Sequence, residues 1–382
     1  MTYKYPVLFL PIFLNFFLLQ SQIIDFKEKF ELPSQVEETS GLLFLDGKIV
    51  THNDRGDTSN LYEIDSLTGN LLRTININNV SNVDWEDLAD DETYIYVGDF
   101  GNNNGTRTDL KIHRILRSDF KNNSSISAEV ISFSYEDQTK FNDSNDHNFD
   151  AEGFVVYENS LFIFTKNRGD FNTNVYKIPK TIGNHIAVKI STANINGLIT
   201  GATYNKNDDR FFLCGYDSYL IPFLVYIDEN RTNGEDIFFS GFQKFSLYNE
   251  TGQGSQVEAI TYIEEGKYYI SREFNETSIN GNTLTFPQKL YQFTDENEPS
   301  LSTEKNDFNL FKVAPNPTSD KLIIQSKKTI NTVSIYNTLG KKVLEFNATT
   351  KELNISNLSI GIYLVRIQFD GTKSVTKKII KI

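Results

Sequence analysis

The sequence predicts an all-β protein, a β-propeller followed by a small Ig-like β-sandwich, and three observations carry that reading. One strand pattern recurs five times between Ser40 and Phe293, helical periodicity is almost absent, and a second set of short alternating strands closes the chain beyond a polar stretch. Of 382 residues 39% are hydrophobic, and the 30 Phe and 19 Tyr suit strands better than helices. That content can fill real cores, which excludes a wholly disordered chain.

Residues 1–22 read as an export signal. Lys4 precedes an apolar run from Pro6 to Leu19 that Pro11 and Asn15 interrupt and that is too short to span a bilayer comfortably, with cleavage expected near Gln20 to Gln22. No cysteine stands there to take a lipid, and no later segment reaches spanning length, so the mature chain is expected to lack a transmembrane segment. The one cysteine, Cys214, lies in the apolar run Phe211–Cys214 and reads as a packing thiol; a disulfide framework and a Cys-based zinc site are excluded.

Residues 23–294 hold the repeat. Its first copy runs Ser40-Gly41-Leu42-Leu43-Phe44-Leu45, a turn at Asp46-Gly47, Lys48 to Asp54, then Leu61 to Asp65. Further copies start at Glu86, Glu152, Gly201 and Glu258, each with short Val, Ile, Tyr and Phe runs between Gly, Asn and Asp turns. Such a meander cannot bury both faces alone, whereas radial stacking covers the faces and leaves short edges. Five blades are legible; six is the alternative if a degenerate one lies around 122–146. The fifth copy lacks an outermost strand, which Phe26 to Leu32 can supply. A β-sandwich competes, but it does not require the same strand pattern to recur.

In a blade the first strand starts at the mouth where the second ends, so residues before strand one and after strand two converge. Here they are His52-Asn53-Asp54, Asp84 to Asp87, Asp99 with Asn102 and Asn103, Asp150-Ala151-Glu152, Lys166-Asn167-Arg168, Glu258 and Arg272-Glu273. Carboxylates crowded into one channel repel unless a cation sits among them or some stay protonated. The expected ligands of such an ion are Glu86, Glu152 and Glu258, with Asp54 and Asp99 as neighbours, and oxygen donors of this kind suit calcium. The bland reading makes these acids turn and solvent-facing residues. The acidic stretches Asp84–Glu92 and Asp143–Glu152 are expected to be solvated loops. For catalysis, His52 is the candidate general base beside Asp54, and Lys166, Arg168 and Arg272 are candidates to hold an anionic substrate, or else plain ion-pair partners.

Ser40-Gly41-Leu42, Lys48 to Asp54, Trp85-Glu86, Tyr96-Val97-Gly98 and Ala151-Glu152-Gly153 resemble the calcium-associated β-propellers: the gluconolactonase-type, the phytase-like and the calcium-activated nucleotidase propellers. The resemblance implies a central metal and chemistry, if any, at that mouth. It selects no substrate.

Residues 295–307 are polar, carry Pro299 and read as a linker; residues 308–382 form the second module. The tail resembles the type A C-terminal sorting domain of the type IX secretion system of Bacteroidota. The matching motifs are Pro315-Asn316-Pro317, Ile335-Tyr336-Asn337 with Leu339-Gly340-Lys341, Leu358 with Gly361-Ile362-Tyr363-Leu364-Val365, and a lysine-rich end that includes Lys378. The resemblance implies export by the signal peptide, recognition of the folded tail by the secretion machinery at the outer membrane, and release or surface attachment. From Glu304 onward the chain carries +7, and what precedes it carries −20. The acidic body disfavours nucleic acid.

Two functions follow as expectations. One is a secreted calcium-dependent hydrolase of a phosphorylated, lactone or ester substrate. The other is a non-catalytic binding or adhesion propeller that holds a small molecule, glycan or peptide at its mouth.

Overall fold

The computed structural model describes residues 22–207, 209–227, 235–264, 266–279, 282–296, 311–326, 330–338, 340–347, 352–369 and 374–382. The expected signal peptide (to residue 21) and most of the expected linker (297–307) lie outside them. The chain divides into two units, residues 1–297 and 298–382.

Strand β1 (Gln22–Glu31) precedes a first meander of β2 (Thr39–Leu45), β3 (Lys48–Asn53), β4 (Asn60–Asp65) and β5 (Leu71–Ile77). The second is β6 (Trp85–Asp90), β7 (Tyr94–Asp99), β8 (Lys111–Leu116) and, after helix α1 (Arg117–Asn122) and the short β9 (Ser125–Ile126), β10 (Glu129–Tyr135). The third is β11 (Ala151–Tyr157), β12 (Ser160–Thr165), β13 (Thr173–Pro179) and β14 (Gly183–Ala193); the fourth is β15 (Leu198–Asn205), β16 (Arg210–Tyr216), β17 (Pro222–Ile227) and β18 (Gln243–Ser246). In the last, β19 (Val257–Glu264) and β20 (Lys267–Arg272) are followed by a hairpin, β21 (Asn275–Ile279) and β22 (Asn282–Phe286), before β23 (Lys289–Glu296). Strand β1 pairs antiparallel with β23 as its outermost strand, so the chain's two ends share one sheet.

The innermost strands β2, β6, β11, β15 and β19 pack side by side in that order, and β19 packs back against β2. Apolar clusters fill each seam: Leu43, Val50 and Leu61 meet Trp85 and Val97 in the first, and Ala259, Tyr269 and Leu290 meet Leu42 and Ile49 in the last. Burial follows position. Inner strands such as β12 are nearly continuously buried, whereas outer β5 and β10 alternate, because an outer strand meets neighbours on only part of its surface. The arrangement is all-β and propeller-like.

Three features differ from the sequence expectation. Residues 122–146 build no separate meander: β10 completes the second sheet, and β9 pairs in parallel with β5. The long β14 also runs parallel to β10, from Ile131 opposite Gly183 to Tyr135 opposite Ala187, joining two meanders into one eight-stranded sheet. The stretch expected as linker begins inside a strand, since Asp295 pairs with Ile23 and its carboxylate meets Arg210 at 2.9 Å.

The tail unit packs a three-stranded sheet, β24 (Phe311–Ala314), β25 (Lys321–Ser326) and β28 (Glu352–Asn354), and a four-stranded sheet in the order β27 (Lys342–Asn347), β26 (Ile330–Asn337), β29 (Gly361–Phe369), β30 (Ser374–Lys381). Leu322, Ile324, Val333, Ile335, Val365 and Ile379 make its shared core. The motif residues have structural roles here. Gly340 takes φ 75° in the turn that Asn337 closes, and the buried Tyr363 donates its hydroxyl to the Ser359 carbonyl at 2.9 Å. Between Pro315 and Pro317, which have no N–H, Asn316 caps the edge of β30: its amide donates to the Lys378 carbonyl and its Oδ1 accepts from Ile380 N.

Candidate metal centre

Each inner strand of the ring carries a β-bulge at the same end. The pairing slips between Thr39 and Leu42, Trp85 and Asp87, Ala151 and Gly153, Ile199 and Gly201, and Val257 and Ala259. A bulge leaves one residue unpaired and re-aims its side chain. The residues so displaced are Ser40, Glu86, Glu152, Thr200 and Glu258. Two of them anchor the ring, Ser40 donating to the Glu86 carbonyl at 2.5 Å and Thr200 to the Val257 carbonyl at 2.6 Å. The other three are buried glutamates.

Register places two further tiers above the bulges. Glu38, Asp84, Asp150, Leu198 and Gln256 stand two residues ahead of them. Across the hairpins stand Asp54, Gly101, Lys166, Tyr216 and Glu273, four of these joined to the first tier by a backbone N–H donated to Glu38, Asp84, Asp150 or Gln256, and Tyr216 paired with Leu198. Acids far apart in sequence therefore interact. Burial pushes the Glu86 carboxyl well above its usual range, and Glu152, Asp54 and Asp84 push it further. Burial, then Asp54 and Asp150, raises Asp84 to about 7. Glu152 is raised to about 8 and Glu273 to about 9, burial leading in both, with Lys166 acting against it.

Asp54, Asp84 and Glu86 come closest together: one carboxylate oxygen of each lies within 4.8 Å of the others. Glu86 is 3% and Asp84 7% exposed, and Glu86 Oε1 and Asp84 Oδ1 are buried with no hydrogen-bond partner. The missing side chain at position 101 makes the room. A Cβ there would lie 2.0 Å from Glu86 Oε1 and 2.6 Å from Asp84 Oδ2. A pure carboxylate donor set with orphaned oxygens suits a hard cation such as calcium, so the residues present fit the ion the sequence suggests.

The other expected ligands have partners. Glu152 meets Lys166 at 3.0 Å, and Glu258 accepts a long bond from Gln256 at 3.4 Å. Asp99 faces away from the group: Arg107 at 3.0 Å and His113 at 3.2 Å hold it, and its Oδ1 accepts from Asp84 N. Asp99 is the paired end of β7, so its side chain falls beside the seam rather than on the axis.

The expected catalytic residues also divide. His52 is fully buried in the seam between β2 and β6, edge-on to Trp85, with Nδ1 donating to the Asn53 carbonyl at 2.8 Å. Burial lowers it to about 4, so it is neutral at physiological pH; strand alternation has turned it away from Asp54. Lys166 is buried, lies 5.4 Å from the Tyr216 ring centre and pairs with Glu152; Arg168 pairs with Asp150 and donates to Asn103 at 2.7 Å. Arg272 donates to the carbonyls of Pro287 and Thr251 between Phe286 and Tyr291, a structural tie beneath the loops.

Sequence reasoning left Asp84 out of the candidate ligands and did not single out Gly101, whose missing side chain makes the room beside it, or Asp87. Instead of a solvated loop, Asp84 to Asp87 is buried at the head of β6. Fully buried Asp87 lies across the ring, accepting from Leu88 N at 2.8 Å, Phe154 N at 3.1 Å and Ala202 N at 3.3 Å. The signal for Asp84 was available: Asp84-Trp85-Glu86 and Asp150-Ala151-Glu152 repeat one acid-x-acid phrase at equivalent positions.

The opposite end of the ring holds a cavity of about 630 Å³ walled by Phe44, Val155, Tyr204, Tyr262 and Ile263. Three ion pairs lie along it, Arg117 to Asp90 at 3.1 Å, Lys180 to Asp91 at 2.9 Å and Lys206 to Glu92 at 3.3 Å, and Glu158 also lines it. Among the described residues, the buried carboxylate oxygens without a hydrogen-bond partner, Asp84 Oδ1 and Glu86 Oε1, belong to the bulged end.

Among known proteins, the family model described as a secretion system C-terminal sorting domain matches residues 312–382. The tail is that domain, and the protein is exported to the cell surface or the medium. Among the described residues no helix is long and apolar enough to cross a membrane. No curated protein matches the chain. Solved structures similar to it include a PQQ-bound aldose sugar dehydrogenase from Streptomyces coelicolor, at 12% identity and TM-score 0.43, covering 73% of this chain and 99% of that one. PorZ, a surface component of the type IX secretion system of Porphyromonas gingivalis, is 13% identical with TM-score 0.33, covering 90% of this chain and 45% of its own. An exo-β-1,3-galactanase from Phanerochaete chrysosporium is 7% identical with TM-score 0.42, covering 94% and 100%.

Proposed function

We propose that this exported protein is a five-bladed propeller that holds calcium at its bulged mouth, through Asp54, Asp84 and Glu86, and uses that mouth to bind a neutral glycan at the cell surface. The observation that carries the reading is the pair of buried, unpartnered oxygens, Glu86 Oε1 and Asp84 Oδ1, facing Asp54 across the space left by Gly101. Calcium would offset their mutual repulsion and leave coordination positions for ligand hydroxyls.

The ligand class follows from charge and rim. Lys166 and Arg168 are already engaged by Glu152 and Asp150, and the acidic groups of the mouth outnumber them, which disfavours an anionic ligand. Exposed rings crown the same end: Tyr219 (72%) and Phe274 (39%) stand on loops that follow β16 and β20, and Tyr248 (50%) opens the one-turn helix Tyr248–Thr251 that follows β18. Those loops are tied together by Gln253 to the Tyr219 carbonyl and Asn275 to the Gly254 carbonyl. Amphipathic aromatic faces beside hydroxyl-binding oxygens suit a sugar.

Hydrolysis is the second reading, favoured by one observation. Glu152 and Glu273, raised to about 8 and about 9, hold protons at neutral pH and could act as general acids. One experiment separates the two: purified protein is offered neutral oligosaccharides and generic ester, lactone and phosphate substrates, with calcium and with chelator. Calcium-dependent retention of an oligosaccharide without turnover supports binding. Calcium-dependent turnover supports the hydrolase, and neither activity with any probe contradicts both.

A further inference from the structure

At one end of the β29–β30 hairpin the four-stranded sheet of the tail carries apolar residues on both faces. Inward, Tyr363, Val365, Ile367 and Ile379 are buried in the core. Outward, the residues toward that end are apolar again and exposed, while Arg366, Gln368 and Thr376 farther along the same face are polar: Ile362 (48%) lies directly opposite Ile380 (38%), Leu364 (39%) lies opposite Lys378 on one side and Tyr336 on the other, and Ile382 (59%) extends the row. A one-sided sheet normally alternates apolar with polar, so an outward apolar row bordered by charge marks a contact surface. Arg366, two residues beyond Leu364, and Lys378 give it a basic border within a tail that carries +7.

The edge of that hairpin is closed to a partner strand. Over its last residues β30 is paired by the segment after β24: Asn316 bonds Lys378 and Ile380, Thr318 N donates to the Ile380 carbonyl at 2.9 Å, and Ile382 N donates to the Thr318 carbonyl at 2.9 Å. Recognition by strand addition is therefore blocked there, and the open face remains.

We propose that the outward face of the β29–β30 hairpin, formed by Ile362, Leu364, Ile380 and Lys378, is where the tail is recognised, and that its occupant is a component of the secretion machinery presenting an apolar patch bordered by carboxylates. The inference rests on the tail being a sorting domain and is independent of what the propeller mouth binds.

The test is export of the full-length protein from a bacterium with a type IX system, comparing surface and medium with cell-retained protein. Ile362→Ser/Ile380→Ser lowers export at least tenfold, Lys378→Glu lowers it severalfold, and Ile323→Ser, an exposed apolar residue of the other sheet, leaves it unchanged. Melting and protease resistance of the purified variants verify folding, and Lys378→Glu carries the test should the double variant not fold. Unchanged export in both hairpin variants, or an equal loss in Ile323→Ser, overturns the proposal. A maleimide probe on Ile362→Cys, in a chain whose other cysteine is buried, labels the native protein readily. Labelling only after unfolding would mean that the chain itself covers the face, which also overturns it.

Discussion

The two ends of the ring are built from the same five inner strands and have opposite chemistry. At one end every strand is bulged, and glutamates at three of the five bulges face the axis with too few cations to balance them. At the other they run into a cavity where Asp90, Asp91 and Glu92 each meet a Lys or Arg, and only β19 slips again, between Tyr262 and Glu264. The difference teaches that a backbone irregularity, repeated, concentrates unsatisfied charge where a ligand must complete it. Within the bulged end a second contrast matters: Asp99 is paired and structural, whereas Asp84 and Glu86 are not paired.

The largest effect is expected from that contrast. Asp99→Asn breaks the buried pairs with Arg107 and His113 and should destabilise the protein by about 3 kcal/mol, read as a lower denaturation midpoint, while leaving any calcium-induced shift intact. Loss of the shift would instead make Asp99 a ligand. Next, calcium at a hundredfold excess over its Kd should stabilise the parent by about 2.7 kcal/mol, roughly 5 °C in Tm for a unit of this size, and Glu86→Gln should abolish that shift. Gly101→Ala should weaken calcium binding at least tenfold by calorimetry with the fold retained, since the added methyl occupies the space facing Glu86 and Asp84.

The pH dependence should separate the ends as well. Folded-state values for Asp84, Glu152 and Glu273 of about 7, 8 and 9 lie above those of the unfolded chain, near 4, so the native state binds more protons in between. Stability without calcium then falls as pH rises from about 4 to about 9, and calcium should stabilise more at pH 8 than at pH 5. Melting curves at those two pH values, with calcium and with chelator, check the sign. The smallest effect belongs to the far end. Lys206→Ala removes an exposed ion pair with Glu92 and should change stability by less than about 0.5 kcal/mol and calcium binding not at all.

Much of this was legible in the sequence because repeats expose position. The recurring Gly-aliphatic phrase and the turns at Asp46-Gly47 and their equivalents gave the meanders, and Phe26 to Leu32 gave the strand that pairs with β23. The convergence of Asp54, Glu86, Glu152 and Glu258 followed from strand direction alone. What could not be read was rotation about the strand. Whether Asp99 or His52 faces the axis depends on a bulge one residue wide, and that turned both into the seam. Gly101 carries no side chain to notice, and Arg272 gives no sign that backbone carbonyls will claim it.

Calorimetric titration of calcium into the full chain at pH 7.5, for the parent and for Glu86→Gln, addresses the centre itself. One calcium bound per chain by the parent and none by the variant is the predicted result. A parent that takes up no calcium, or a variant that binds as the parent does, would contradict the assignment of Asp54, Asp84 and Glu86.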